Sequence, residues 1–264
     1  MAHQKTTEEI EKMREGGALL SRALQTAIDH AKAGVTMREL DEIATRVIRE
    51  GGGEPSFLGY RGRPTDDPFP CTMCVSVNDE VVHGLGNRDV VLKNGDLLGL
   101  DIGCWFKGLC TDMAATIPIG GFDSLPKDQK QLLRATRESM MAGVAAARVG
   151  GTIKEISRAI EAEVKPHGFG IVRTLVGHGV GHKVHEDPHV PNFVSAEFKD
   201  MEIIDRMCLA IEPMLTLGDW RVETSEDGWT VVTSDGSLAA HFELTIAITE
   251  NGVEILTPAP NVGF

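Results

Sequence analysis

Two pairs of amphipathic helices form the clearest pattern of apolar and polar positions along the chain. In the first pair, apolar residues recur at helical spacing over residues 10–28, and a threonine before two glutamates within 6–9 is typical of a helix start. The second helix begins with Thr36 and Glu39, which fit a capping box, and it ends at the glycines 51–53. The sequence therefore predicts a helical pair over about residues 8–50.

The same arrangement returns further along the chain. A helix is predicted over about 127–148, and a second one begins with the capping box of Thr152 and Glu155 and stops before Pro166. The order of elements therefore repeats: a long helix, a glycine-containing turn and a capped shorter helix.

Each helix pair is followed by apolar runs of strand character, at 71–120 and at 171–250. We interpret this as an internal duplication with helix–helix–sheet halves at 8–120 and 121–252, although two common helical hairpins would give the same pattern. Because only a short turn region separates the halves, we predict a single domain over residues 1–264. Helices packed on antiparallel sheet make its fold class α+β.

An apolar hairpin predicted over 97–117 carries two aspartates. If Lys107 and Gly108 are its two turn residues, Asp101 and Asp112 point to the same face as diagonal neighbours. Two like charges in an otherwise apolar hairpin repel each other, and a cation between them would relieve the repulsion. The alternative is that one aspartate caps the turn or faces water.

A glycine- and histidine-rich segment follows at 177–189. His185 and His189 match the spacing of a zinc-protease signature, but that signature requires a helix, and Pro188 argues against one here. In an extended segment His178 and His185 have opposite parity, which favours different roles for them. Each histidine alone could also be merely packed or exposed.

Two further carboxylates, Glu212 and Glu243, lie in apolar, strand-like runs. With the two aspartates and one imidazole they would carry four negative charges, which two divalent cations would balance. A set of ligands rich in oxygen with one nitrogen favours manganese, iron or cobalt. The pair Cys71 and Cys74 has no second cysteine pair and is a weak zinc signal.

The composition argues against several classes of protein. The chain has 264 residues, 39 acidic against 26 basic, and a net charge of −13. This balance argues against a nucleic-acid binder and against docking on anionic lipid. We find no apolar stretch near the roughly 20 residues of a membrane span, and no signal-peptide core. The odd count of five cysteines argues against a disulfide framework, so we expect a cytoplasmic protein with free thiols.

The order Asp, Asp, His, Glu, Glu resembles that of the bacterial type I methionine aminopeptidases, which belong to the metallopeptidases with the pita-bread fold. The resemblance covers essentially the whole chain and includes the segments 75–84, 101–112, 177–181, 185–188, 211–214, 227–230 and 241–243. It implies two pseudo-twofold halves around a curved antiparallel sheet. It also implies an enzyme that uses two divalent ions (cobalt, manganese or iron) to remove the N-terminal methionine from nascent chains whose second residue is small.

The resemblance also assigns roles to single residues. Asp101 would chelate one metal ion, Asp112 and Glu243 would bridge both, and His178 and Glu212 would complete the other. Glu212 would also move the proton during hydrolysis. His83 and His185 would contact the scissile amide of the substrate. Tyr60, Cys74 and Trp229 would line the methionine pocket.

Four departures from the family pattern affect the predicted methionine pocket. Arg63 stands where an aromatic residue is common, and the loop 61–73 is several positions longer than usual. Val184 replaces a larger residue, and His182 replaces an arginine. These departures concern the methionine pocket and leave the predicted metal ligands unchanged.

We expect the partners to be the N-termini of nascent polypeptides, with a contact at the ribosome exit region left open and with the protein acting as a monomer. No specific nucleic acid and no membrane is expected. Two other functions were weighed: an X-Pro peptidase of the same fold, and a peptide-binding module without catalysis. The first usually has an additional N-terminal domain, and the second usually lacks metal ligands.

Overall fold

The computed structural model describes residues 4–264, and residues 1–3 of the predicted domain lie outside this range. Four α-helices occur in two sequential pairs: α1 (Thr7–His30), α2 (Met37–Glu50), α3 (Lys127–Ala146) and α4 (Ile153–Val164). A short 3₁₀ helix precedes α3 at Phe122–Ser124, and another follows α4 at Lys165–His167. The two predicted capping boxes are present at the starts of α2 and α4, and the helix start predicted at 6–9 is a capping box of Thr6 and Glu9. The division of the chain into duplicated halves stays a prediction.

Fifteen strands complete the secondary structure of residues 4–264. They are β1 (Glu54–Pro55), β2 (Met73–Val77), β3 (Glu80–Val82), β4 (Leu97–Phe106), β5 (Leu109–Pro118), β6 (Gly170–Ile171), β7 (Gly177–Gly179), β8 (Glu186–Val190), β9 (Met207–Ile211), β10 (Met214–Thr216), β11 (Val222–Thr224), β12 (Val231–Thr233), β13 (Ala239–His241), β14 (Glu243–Thr249) and β15 (Gly252–Ile255). Because Pro188 lies inside β8, the zinc-protease reading of this segment is wrong, as its proline indicated.

One antiparallel sheet of nine strands organises the molecule. Its main path runs β1-β4-β5-β14-β9-β7-β8, with β2 also on β4 and β15 also on β14. Two smaller three-stranded sheets, β13-β10-β6 and β11-β12-β3, are separate from it. Every residue of β5 is buried, because this strand has neighbours on both sides and α1 packs across it. The centre of the sheet is therefore closed to bulk water.

The helices cover one side of the sheet through a continuous apolar core. Helix α1 packs on β4, β5 and α2, and α3 packs on α4, β9 and β14. The close approach of α1 depends on Gly17, since a Cβ atom there would lie 1.9 Å from the carbonyl oxygen of Leu256. A second apolar cluster, which includes Phe57, Phe69 and Cys74, lies apart from this core. Among the described residues, no helix has the length and apolarity needed to cross a membrane.

A half-buried carboxylate on α2 holds the start of β2. Asp41 Oδ1 accepts a hydrogen bond from the backbone N–H of Met73 at 2.8 Å. Burial raises the pKa of Asp41 from 3.8 to about 6, and the backbone hydrogen bonds only partly offset it. The native state therefore binds this proton more tightly than the unfolded chain does, and the stability contributed by the protonated form is lost as pH rises from about 4 to 6.

We predict that Asp41→Asn gains stability relative to the wild type as pH rises, because asparagine keeps an acceptor oxygen but has no charge to bury. Between pH 5 and pH 7.5 the difference in unfolding free energy should shift towards the variant by on the order of 1 kcal/mol. Urea unfolding at both pH values measures it. A difference independent of pH would show that Asp41 titrates normally.

Candidate metal centre

A cavity of about 550 Å³ lies where several strands of the central sheet meet, and acidic and imidazole side chains line it. Each of these side chains comes from a different element. Asp101 lies on β4, Asp112 on β5, His178 on β7, His241 on β13 and Glu243 at the start of β14, while Glu212 directly follows β9. Residues far apart in sequence therefore reach one place because β4, β5, β14, β9 and β7 belong to one sheet and β13, from a smaller sheet, packs against β4 and β5.

The β4–β5 hairpin has the predicted register. Lys107 and Gly108 form its turn, and Asp112 lies opposite Gly103. Both Asp101 and Asp112 line the cavity, so neither of them caps the turn. The hairpin thus brings two carboxylates to the same point, as their spacing indicated.

Two buried threonines connect β5 to the strands beside it. Thr245 donates a hydrogen bond to the carbonyl oxygen of Asp112 at 2.7 Å and accepts one from the Asp112 N–H at 2.9 Å. Thr116 does the same for the backbone of His241, with both distances 2.9 Å. These side-chain bonds extend the short backbone ladder between β5 and β14, so Asp112 and His241 are fixed relative to each other.

The potential metal-binding atoms lie close together. One ligand atom each of Asp112, His178 and Glu243 lie within 4.8 Å of one another, and so do those of Glu212, His241 and Glu243. Glu212 also joins the two imidazoles: its Oε1 is 3.3 Å from His178 Nε2 and its Oε2 is 3.7 Å from His241 Nε2. Glu243 belongs to both groups and therefore lies between them.

Several polar atoms of this site are buried and have no hydrogen-bond partner among the described residues. They are Asp101 Oδ1, Asp112 Oδ1, Glu243 Oε1 and His241 Nε2. A buried acceptor without a partner costs about 1–3 kcal/mol. Carboxylate oxygens and imidazole nitrogens are both ligands of divalent transition-metal cations, which would satisfy these atoms together.

Burial and mutual repulsion change the protonation of the carboxyl groups. Burial raises the pKa of Asp101 to about 7. It also raises the pKa values of Asp112, Glu212 and Glu243 well above their usual range, and nearby carboxylates raise them further. In the protein alone, these groups resist ionisation together; bound cations would reverse that preference.

The imidazoles are held neutral. Burial lowers the pKa values of His178 and His241 to about 3. Nδ1 of His178 lies 2.9 Å from the carbonyl oxygen of Gly179, which can only accept, so this nitrogen carries the proton. Nε2 of His178, on the side of Glu212, then carries the lone pair. Histidines that bind metal typically divide the roles in this way, with one ring nitrogen donating to a carbonyl oxygen and the other available to the ion. Neutral imidazoles and partnerless oxygens fit a divalent cation.

Two other histidines lie beside these groups. His83 follows β3 in a left-handed conformation with φ 59°. The His185 ring packs edge-on against His178 with 4.4 Å between centroids, and its Nδ1 is 2.6 Å from the hydroxyl of Tyr60. Loss of water around both rings lowers their pKa values to about 4, with a further effect of neighbouring histidines. Both are therefore neutral at physiological pH.

An aromatic wall completes the cavity. Phe69 and Trp229 are in edge-on contact with 5.2 Å between ring centroids, and Tyr60 and Cys74 lie in the same apolar cluster. Arg63 does not line the cavity; its guanidinium pairs with Asp66 in the exposed loop. Phe69, further along the same loop, places an aromatic side chain in the cavity wall.

Every site residue predicted from the sequence lines this cavity, namely Tyr60, Cys74, His83, Asp101, Asp112, His178, His185, Glu212, Trp229 and Glu243. Their individual roles stay predictions. The sequence reasoning missed His241 and Phe69. His241 had a signal, because in an extended chain it is on the same side as Glu243 two residues later. Phe69 had none, since it depends on how the loop folds.

Comparison with known proteins shows similarity over nearly the whole chain. The model of metallopeptidase family M24 matches residues 11–250. Methionine aminopeptidase 1 of Bacillus subtilis is 44% identical over 254 residues, which cover 96% of this chain and 98% of that protein. The crystal structure of methionine aminopeptidase from Thermotoga maritima superposes with a TM-score of 0.91 at 40% identity, covering 98% of this chain and 100% of the other.

The chain belongs to metallopeptidase family M24 and, within it, to the bacterial methionine aminopeptidases, a group of metallo-exopeptidases. The predicted pita-bread fold, of class α+β, is confirmed. Prolidase from Pyrococcus furiosus has a TM-score of 0.75 at 23% identity, with 97% of this chain and 65% of that chain covered, which shows a shared fold.

We predict that a divalent cation stabilises the folded protein. At pH 8, a hundredfold excess of Mn²⁺ or Co²⁺ over its Kd should raise Tm by roughly 5–10 °C over protein in chelator. The double variant Asp112→Asn/Glu243→Gln should melt above the wild type in chelator, because fewer like charges are buried, and should not respond to the cation. Differential scanning calorimetry measures both effects.

The control is Asp89→Asn, which removes a single negative charge from an exposed carboxylate paired with Arg38. It should keep the full response to the cation. A wild-type Tm unaffected by Mn²⁺, Co²⁺ and Fe²⁺ would contradict a metal centre at this cavity.

Proposed function

We propose that the protein removes the N-terminal methionine from nascent polypeptides whose second residue is small, with two divalent cations bound in the cavity. The observation that carries this proposal is the arrangement of the cavity: partnerless carboxylate oxygens and neutral imidazoles lie next to an aromatic pocket. A metal centre alone would fit many hydrolases. The adjacent pocket of apolar side chains favours a substrate with an apolar N-terminal side chain such as that of methionine.

The two cations would be held by Asp101, Asp112, His178, Glu212 and Glu243. A bound divalent cation supplies Lewis acidity, which polarises a carbonyl group and makes water a better nucleophile at neutral pH. The set of ligands, mostly oxygen, favours manganese, iron or cobalt. His241 lies 3.7 Å from Glu212 and would orient that carboxylate rather than complete the predicted set.

Glu212 is the residue best suited to move a proton during hydrolysis. Its carboxylate lies between His178 and His241, and burial with the charges of Asp101 and Asp112 raises its pKa. Bound cations would reverse this shift, so it is the position of the carboxylate beside the metal centre that suits it to accept a proton from water and pass it on. Glu212 would therefore take the proton of the attacking water and transfer it to the leaving amine.

His185 would stabilise negative charge that develops on the scissile carbonyl oxygen. If the hydroxyl of Tyr60 donates to Nδ1 of His185, the proton of the neutral ring lies on Nε2, on the opposite side of the imidazole. A neutral Nε2–H donor placed in advance is suited to an oxyanion. Tyr60 thus has two functions in this proposal: wall of the methionine pocket and partner of His185.

The methionine side chain would contact Tyr60, Phe69, Cys74 and Trp229, four residues whose apolar surfaces line the same part of the cavity. The free α-amine would lie next to Asp101, which restricts the reaction to chain ends. The second residue would have to pass His83 beside the metal centre, where a bulky side chain would displace the carbonyl group.

The cellular setting is part of the same proposal. The five cysteines are all buried and unpaired, as expected in a reducing compartment, and we therefore assign the protein to the cytoplasm. The substrates would be the N-termini of nascent chains. The monomeric state and a contact with the ribosome exit region stay predictions.

We predict that Met-Ala-Ser, Met-Gly-Ser and Met-Ser-Ser are cleaved and that Met-Lys-Ser and Met-Leu-Ser are not. A displacement of about 1 Å at the reacting carbonyl costs on the order of 10²-fold in rate. Mass spectrometry of the peptides after incubation with metal-loaded protein measures this. Equal cleavage of Met-Ala-Ser and Met-Lys-Ser, or faster cleavage of an X-Pro peptide without methionine, would refute the proposed specificity.

We predict that Tyr60→Phe lowers kcat for Met-Ala-Ser by about tenfold with little change in KM, because the ring stays in the pocket while the hydrogen bond to His185 is lost. Steady-state kinetics on protein with verified metal content measures it. Phe69→Leu, which changes the pocket and leaves the Tyr60–His185 bond intact, should instead raise KM. If Tyr60→Phe changed only KM, Tyr60 would be a pocket residue alone.

A further inference from the structure

A lysine from the segment before α1 is buried close to the candidate active site. Only 1% of the Lys5 side chain and 2% of the Glu186 side chain are exposed, and Lys5 Nζ lies 2.8 Å from Glu186 Oε2. Removing two charges from water costs several kcal/mol per ion, and their attraction offsets this only with good geometry. Such a pair is a weak source of stability, but it fixes the positions of the segments that carry it.

Glu186 uses its second oxygen to close a turn. Glu186 Oε1 accepts the backbone N–H of His182 and, at 3.0 Å, the backbone N–H of Lys183. One carboxylate therefore holds both ends of residues 182–186 and binds the ammonium group of Lys5. His185 lies inside this turn, immediately before Glu186.

Lys5 is itself fixed at several points. Its backbone N–H donates to the carbonyl oxygen of Arg206 at 2.9 Å, and Arg206 Nε donates to the carbonyl oxygen of Lys5 at 2.9 Å. Its side chain passes Gly181, where a Cβ atom would lie 2.3 Å from Lys5 Cε and where φ is +140°. Glycine at 181 thus leaves the space through which the lysine reaches Glu186.

A second contact joins the same two segments. His182 Nε2 lies 2.7 Å from Glu9 Oε1, and the other oxygen of Glu9 accepts the N–H of Thr6 in the capping box of α1. Glu9 in the first turn of α1 and Lys5 before the helix therefore both contact the turn 182–186. Residues 5–9 and this turn form one connected unit.

We propose that Lys5 is a positioning residue for His185 and acts through Glu186. This inference rests on the proposed function, in which the imidazole of His185 contacts the scissile carbonyl. Nδ1 of the His185 ring lies 2.6 Å from the Tyr60 hydroxyl, and the ring packs against His178. These two neighbours therefore fix the orientation of the ring. Lys5 and Glu186 fix the backbone from which the ring projects. A turn released from Lys5 would shift the imidazole relative to the substrate.

The test compares Lys5→Met with wild type in steady-state cleavage of Met-Ala-Ser. Methionine keeps the length and apolar stem of lysine and removes the charge. We expect kcat to fall by about 10- to 100-fold, the size of effect for a misplacement near 1 Å, with KM within threefold and metal content unchanged. Lys12→Met is the matched control, since Lys12 on α1 pairs with Glu8 at the surface, and it should keep the wild-type kcat.

A second background separates positioning from general damage. His185→Ala removes the group that Lys5 is proposed to position. In this background, Lys5→Met should change the residual kcat by less than twofold. If Lys5 acts only by positioning His185, its loss has no further effect once the imidazole is absent. Equal losses in both backgrounds would overturn the proposal, and so would a folded Lys5→Met with wild-type kcat or with lost metal.

If Lys5→Met alone does not fold, the paired variant Lys5→Met/Glu186→Gln replaces it, because it leaves no buried charge uncompensated. The same loss of kcat is expected, and wild-type kcat in this folded variant would overturn the proposal. Failure of the proposed function has a different signature: the wild type itself would not cleave Met-Ala-Ser. A wild type that cleaves this peptide and a Lys5→Met that cleaves it equally well would refute only the role of Lys5.

Discussion

The concentration of negative charge in a largely buried place is the constraint on which the rest of the structure depends. Asp112 and Glu243 are 2% exposed, and Asp101 and Glu212 lie beside them at the edge of the same cavity. Each carboxylate makes the next harder to ionise. Such a group is tolerable only when its backbone is rigid and its charge is compensated. The nine-stranded sheet with α1 packed on β4 and β5 supplies the rigidity. The oxygen and nitrogen ligands indicate that divalent cations supply the compensating charge.

Rigidity and charge are linked through particular side chains. The ladder between β5 and β14 is short, and Thr116 and Thr245 complete it with hydrogen bonds to the backbone of His241 and Asp112. A valine would have nearly the same shape as either threonine and would leave those backbone groups without partners. The two hydroxyl groups therefore determine how closely β5 approaches β14 and β13, the strand that carries His241.

Local signals in the sequence were sufficient for the parts that depend on neighbours in the chain. The hairpin register followed from the turn at Lys107 and Gly108, and the helix starts followed from their capping boxes, because both are set by contacts a few residues apart. Resemblance supplied the grouping of the acidic residues. Phe69 and Lys5 could not be predicted, since each depends on a tertiary contact: one with Trp229, the other with Glu186.

The loop between β1 and β2 is closed at its base. The N–H of Gly59 donates to the carbonyl oxygen of Phe69, and the N–H of Phe69 donates to the carbonyl oxygen of Tyr60, each at 2.8 Å. Both aromatic residues are therefore held from below, and residues 61–68 extend outwards as a self-contained excursion. Because the hydrogen bonds at the base do not involve residues 61–68, a change of length or a peptide tag inserted at the tip of this loop would leave Tyr60 and Phe69 in place.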